Sequence, residues 1–188
     1  PVLQRLERYV PDAPGPALSR VDLVRRYLAA YGPASVNDMQ TWCRLTKLSA
    51  EFESIKDELV VFEDEDGRTL YDLPDAPRPD ADKPAPVRFL PLYDNVYLGY
   101  DDRRRMLSPA TAHLINMFQA FKPAVLIDGT INAGWTIEVM KGDAVLEVEA
   151  YRKLLKREQR DLEAEGLRFL KFMRPEAKSY GVRIAGAA

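Results

Sequence analysis

Very little in this 188-residue sequence supports metal or thiol chemistry: it holds one cysteine and one histidine. Cys43 alone excludes an internal disulfide and any cysteine-cluster metal site. His113 alone removes most zinc chemistry and any histidine-based triad with a distant nucleophile. No apolar run approaches the roughly 20 residues that cross a bilayer, and no signal-peptide pattern opens the chain. No Gly-rich phosphate loop is present either: "GTINAG" (residues 129–134) lacks the lysine and the following helix that a nucleotide site needs. Neither sign of charge dominates, with 27 Lys and Arg against 29 Asp and Glu. The expectation is a cytoplasmic protein with no membrane partner, no metal and no cofactor. The chain starts at Pro1 rather than Met, which reads as a piece of something longer.

What is present falls into two units. Residues 1–19 form an amphipathic, proline-broken lead-in. Ser19 caps a helix through "RVDLVRRYLAAYG", with Val21, Val24, Tyr27, Leu28 and Tyr31 at helical spacing and Gly32-Pro33 as its stop. Ser35 caps a second helix, "VNDMQTWCR", with Val36, Met39, Trp42 and Cys43 inward. A third covers "LSAEFESIKDE", with Leu48, Phe52 and Ile55 on one face. In "LVVFEDEDGRTLYDL" two β-prone runs flank the turn signal Asp64-Glu65-Asp66-Gly67. Three helices and a hairpin in this order predict a winged helix over residues 20–73. Five prolines make residues 74–86 a semi-rigid linker, about 40 Å long if fully extended. Residues 87–175 read as a β-rich, barrel-like domain. Its parts are a strand at "VRFLPL", a short helix at "PATAHLINMFQAF" and a three-stranded meander with turns at Asp128-Gly129 and Lys141-Gly142-Asp143. A long helix over "RKLLKREQRDLEAEGLRFLKFM" closes it, with Leu155, Leu162, Phe169, Leu170 and Met173 as its apolar stripe. Residues 176–188 are expected to be a tail. The fold class is α+β.

Charge is unevenly placed. Across residues 46–75, Lys47, Lys56 and Arg68 face ten carboxylates, a net of −7. Such a surface repels a polyanion, so the third helix and hairpin suit a scaffold or a protein partner better than direct DNA reading. Residues 151–174 carry eight cations against four carboxylates, a net of +4. Arg152, Lys156 and Arg160 recur every four residues there, a stripe that could track phosphates or simply face solvent.

Acid–base chemistry needs a positioned carboxylate. Asp94, amid the aromatics of "LPLYDNVYLGY", is the best candidate, against the reading that Asp94-Asn95 makes a turn. Asp38 is expected in the first turn of its helix and Gln40 in solvent. His113 and Cys43 read as packed residues. Trp135 reads as a core or rim aromatic rather than a base platform.

Three stretches taken together resemble one family: "VRRYLAAYGPASVNDMQTWCRL", "VRFLPLYDNVYLGYDDRRRML" and "VLIDGTINAGWTIE". In order and spacing they look like the winged-helix DNA-binding-domain family that includes the bacterial alkylpurine and crosslink-unhooking DNA glycosylases. The resemblance covers roughly residues 20–170. It implies tandem winged helices, a β-rich C-terminal domain, duplex DNA as partner and hydrolysis of the N-glycosidic bond of a damaged purine. In such enzymes a Gln-x-Gln or Gln-x-Asp motif near the N-terminus positions the water. The expectation is that neither Gln-x-Gln nor Gln-x-Asp serves here, Asp38-Met39-Gln40 being reversed and on a different helix, so the catalytic motif is expected to be absent. The chain then corresponds to the C-terminal part of such a protein, lacking an N-terminal winged-helix portion, and no catalytic residue is assigned. The expected phosphate contacts are Arg103, Arg104, Arg105, Arg152, Lys156 and Arg160. The alternative is a non-catalytic winged-helix module that binds a protein partner or regulates transcription.

Overall fold

A computed structural model describes residues 18–80, 82–114 and 123–186. The chain is mixed α and β and divides into two units. One holds the residues up to Ala76 apart from Thr41–Arg44; the other holds those four with Pro77 onward.

In the first unit, α1 (Arg20–Tyr31) starts where the Ser19 hydroxyl accepts a hydrogen bond from the Asp22 amide, at 3.0 Å. α2 (Val36–Cys43) starts with a reciprocal cap. The Asp38 amide donates to Ser35 Oγ, and the Asp38 carboxylate accepts from the Ser35 amide and hydroxyl, both at 2.8 Å. This reciprocity satisfies helix-end donors and accounts for the burial of Asp38. α3 is short, Ser49–Ser54, and ends in a 3-10 turn at Lys56–Glu58. Val24, Tyr27, Leu28, Met39, Leu48, Phe52 and Ile55 are buried. β1 (Val60–Glu63) and β2 (Thr69–Asp72) pair antiparallel, and Ala34 bridges to Tyr71 on the other side of β2. Gln40 does not face solvent as expected: its Oε1 accepts from the Leu48 amide at 3.0 Å, tying α2 to the start of α3.

The second unit is a five-stranded sheet in the order β3-β4-β5-β6-β7: Arg88–Phe89, Ala124–Ile127, Thr130–Met140, Asp143–Ala150 and Ser179–Ala185. The meander β4–β5–β6 turns at Asp128-Gly129 and Lys141-Gly142, where all four residues have positive φ. That is the backbone a two-residue hairpin needs, and glycine at its second position meets it without strain. α5 (Lys156–Met173) then crosses back, and β7 pairs parallel to β6. The expected tail is thus a strand, with Tyr180, Val182 and Ile184 half-buried on alternate positions. Where a helix is expected at residues 109–121, a turn leads into a 3-10 turn at Ala112–Leu114; residues 115–121 lie outside the described residues, as does most of the lead-in.

α5 covers one face of the sheet, its Leu162 and Leu170 buried against Val125, Ile127, Ala133, Leu146 and Val148. Adjacent strand residues point to opposite faces. Leu126 accordingly joins Leu90 and Ile131 in a second cluster, covered by Tyr97, Met106 and Leu107. So "YLGYDDRRRML" packs on the face away from α5. Short α4 (Asn95–Leu98) belongs to it, and Asp94 is its cap: Oδ1 accepts from the Val96 amide at 2.8 Å, the turn reading rather than the acid–base one. Gly166 lets α5 lie close on the sheet. A Cβ there would stand 2.9 Å from Leu146 Cδ2 and 3.0 Å from Val182 Cγ2. Gly166→Ala should therefore lower stability by roughly 1–2 kcal/mol despite alanine's better helix propensity, measured as a lower urea midpoint.

Candidate nucleic-acid interface

Arg103–Met106 is a single 3-10 turn whose cap is Asp102: its Oδ1 accepts from the Arg104 amide at 3.0 Å. The Arg104 guanidinium folds back on the same carboxylate at 2.8 Å. Arg103 lies 4.6 Å over the Tyr97 ring and Arg105 4.1 Å over Tyr100. Stacking engages the face of a guanidinium, whereas phosphate is met by its N–H edge, so both can occur together. Two tyrosine rings and the Asp102 carboxylate thus order three cations on one turn.

That turn is tied to the sheet. Leu107 forms a parallel bridge with Ile131, and the buried Thr111 hydroxyl donates to the Ile131 carbonyl at 3.1 Å. Next along β5, the fully buried Asn132 donates to the Ile127 and Thr130 carbonyls. Its Oδ1 accepts from Arg152 Nε at 2.7 Å. Consecutive residues of β5 therefore hold the arginine turn and the approach to α5.

Arg152 is not in the helical stripe. α5 begins at Lys156, so Arg152 precedes it in a bend and reaches Glu158 through two hydrogen bonds of 2.9 and 2.8 Å. Glu158 also accepts from the Leu155 amide at 2.8 Å, capping the helix. The hydrogen bonds that Arg152 donates hold the Glu158 carboxyl below its ordinary value and raise that of the Arg152 guanidinium. Only Lys156 and Arg160 remain as the exposed cations of the expected stripe. Leu155, expected in the apolar stripe, is 57% exposed.

The other candidates resolve individually. Trp135 donates from Nε1 to the Leu90 carbonyl at 2.9 Å and packs edge-on against Phe169, a structural aromatic. His113 is exposed rather than packed, and Cys43 is half-buried. A Gln-x-Asp triplet does occur, Gln159-Arg160-Asp161, contrary to expectation. It lies on α5, and Gln159 Nε2 donates to the Leu154 carbonyl at 3.1 Å. Among the described residues, no group of three His, Cys, Asp or Glu side chains is placed to hold a metal. Sequence reasoning missed Asn132, Thr111 and Glu158, polar residues that the fold buries. In the first unit, Arg20 pairs with Glu51 at 2.9 Å and Arg25 with Glu58 at 3.0 Å. The acidic third helix is thus partly neutralised from α1.

Removing Arg152 would strand the buried Glu158 carboxylate, so Arg152→Ala should cost about 2–3 kcal/mol in urea unfolding. The pair also sets an acid limit. Its contribution is complete above the ordinary glutamate value of 4.5, because the folded value is lower, and it is lost as pH falls through that lowered value. Glu158→Gln should be less stable than the parent at pH 7, with the difference shrinking toward pH 3 in urea midpoints.

Known proteins offer three comparisons. A family model described as DNA glycosylase AlkZ-like matches residues 1–172. No curated protein matches the chain. Among solved structures, Streptomyces sahachiroi DNA glycosylase AlkZ superposes with a TM-score of 0.66 at 22% identity, over 88% of this chain. The chain spans 45% of that protein's length.

Proposed function

This chain belongs to the AlkZ-like DNA glycosylase family, and from that premise we propose that it binds duplex DNA as part of a cytoplasmic DNA repair protein. The observation that carries the proposal is the ordered arginine turn. Arg103, Arg104 and Arg105 are set on a rigid support, and the strand beneath them also anchors the start of α5, where Lys156 and Arg160 are exposed. Phosphate contacts of this kind position a protein on the duplex and do not read sequence. Arg152 serves the interface by holding the support rather than by touching phosphate.

In this proposal the first unit is a winged helix, α1 to α3 with β1–β2 as the wing, and the second is the β-rich C-terminal domain. The order of elements and the bridge from Ala34 to β2 support that reading. Excision of a damaged purine belongs to the whole protein, with the water-positioning glutamine motif in a winged-helix portion N-terminal to this chain. The Gln159-x-Asp161 triplet is a poor substitute because its amide is engaged by the Leu154 carbonyl just before α5. A specific observation favours a second role for the hairpin. Exposed Val61 and Phe62 adjoin the carboxylates of residues 63–66, a surface suited to a basic protein partner rather than to DNA.

Reversing charge at Arg104, Arg105, Lys156 and Arg160 together should weaken duplex binding and flatten its salt dependence, by about 0.9 in log–log slope per lost phosphate contact. An unchanged slope sinks the interface. Release of a methylated purine from duplex DNA should require the longer protein; release by this chain alone would overturn the division of labour.

A further inference from the structure

One loop of the second unit is built unlike its surroundings. Residues 91–93 are anchored at both ends. Before them, the Leu90 amide donates to the Ala124 carbonyl at 2.8 Å, and the Leu90 carbonyl accepts from Trp135. After them, Asp94 caps α4 with its side chain, and its carbonyl accepts from the Tyr97 and Leu98 amides. Between these anchors Tyr93 has φ of 61°, a left-handed conformation that suits glycine or asparagine and that large L side chains rarely adopt. The residue is nevertheless 66% exposed, beside Leu92 at 43% and Val96 at 39%. An aromatic and two aliphatic residues are therefore displayed on a firmly held tip.

The same loop adjoins the arginine turn. Tyr97, on α4, lies only four residues beyond Tyr93 along the chain, and its ring carries Arg103 at 4.6 Å. A stacking aromatic next to backbone-seeking cations is the arrangement by which proteins hold an unstacked base together with its phosphates. An apolar wedge of this kind also enters duplexes most readily at distorted steps, where unstacking is already part-complete.

We propose that Tyr93 stacks on a base at an unpaired or distorted step of duplex DNA, while Arg103, Arg104 and Arg105 hold the adjoining backbone. This rests on the duplex-binding reading above and adds discrimination to it: the arginines bind any duplex, and Tyr93 selects a damaged one. The strained backbone then has a functional explanation, because a glycine would fit the fold better but could not stack.

The test compares an intact duplex with the same duplex carrying an abasic site opposite 2-aminopurine, using binding isotherms over a range of salt and the 2-aminopurine emission. The wild-type protein should prefer the distorted duplex and change that emission. Tyr93→Ala should lose about tenfold of the preference, within the range for one stacked base, and leave the salt slope unchanged; Tyr93→Phe should keep the preference. Tyr93→Gly should lose it too while unfolding at the same or a higher temperature, which separates stacking from folding. Equal weakening of both duplexes by Tyr93→Ala, or no change in either, overturns the proposal while leaving the duplex-binding reading intact. Absence of duplex binding by the wild type overturns both. A Tyr93→Ala variant that instead changes sedimentation from dimer to monomer would show that the tip meets a second copy of the chain.

Discussion

The Glu158 carboxylate is the group on which the second unit is organised. It is buried, it caps α5 through the Leu155 amide, and it takes both terminal nitrogens of Arg152. Arg152 in turn holds Asn132 on β5. A buried carboxylate is tolerable only with such complete partnering, and once partnered it fixes where the helix starts. The helix start decides which cations face outward. Lys156 and Arg160 do, and Arg152 does not. The strand residue preceding Asn132, Ile131, steadies the arginine turn through Thr111 and Leu107, so a structural ion pair and an exposed cationic turn share one strand as support.

Local charge follows the same logic of partners. A count along residues 46–75 suggests an acidic surface, yet α1 brings Arg20 and Arg25 onto Glu51 and Glu58. At the hairpin tip, Asp64 is enclosed by the Arg68 side chain and by the Asp66 and Arg68 amides, and these bonds hold its carboxyl below the usual range. Carboxylates engaged in this way define turns and caps before they define a field.

Much of this architecture is legible in the sequence wherever the signal is local. Ser19 and Ser35 announce their helices because capping chemistry lies within three residues of the cap. The two glycine turns of the meander are equally plain. What failed depended on distant partners. The four-residue spacing runs unbroken from 152 to 160 and suggests one helix, but the chain bends at Arg152, whose side chain turns to Asn132 and Glu158. The Leu155 cap has no side-chain oxygen to betray it; the capping group comes from Glu158. β7 carried alternation in Tyr180, Val182 and Ile184, but after a long helix near the chain's end it read as a tail. The exposure of Leu92, Tyr93 and Val96 was hidden because their composition suggests a buried strand; positive φ at Tyr93 is a tertiary fact.

The parallel pairing of β7 has a consequence in time. β4, β5 and β6 are joined by two-residue turns, so their contacts close quickly as the chain emerges. Asp143 and Ser179, by contrast, meet across 36 residues. Loop closure of that length is slow, and parallel strands gain it only after the crossover helix is in place. During synthesis, then, β6 waits as an unpaired edge while α5 and β7 are still being made. The carboxylates of β6, Glu147 and Glu149, keep that edge charged in the interval, a safeguard against pairing with a neighbouring nascent chain.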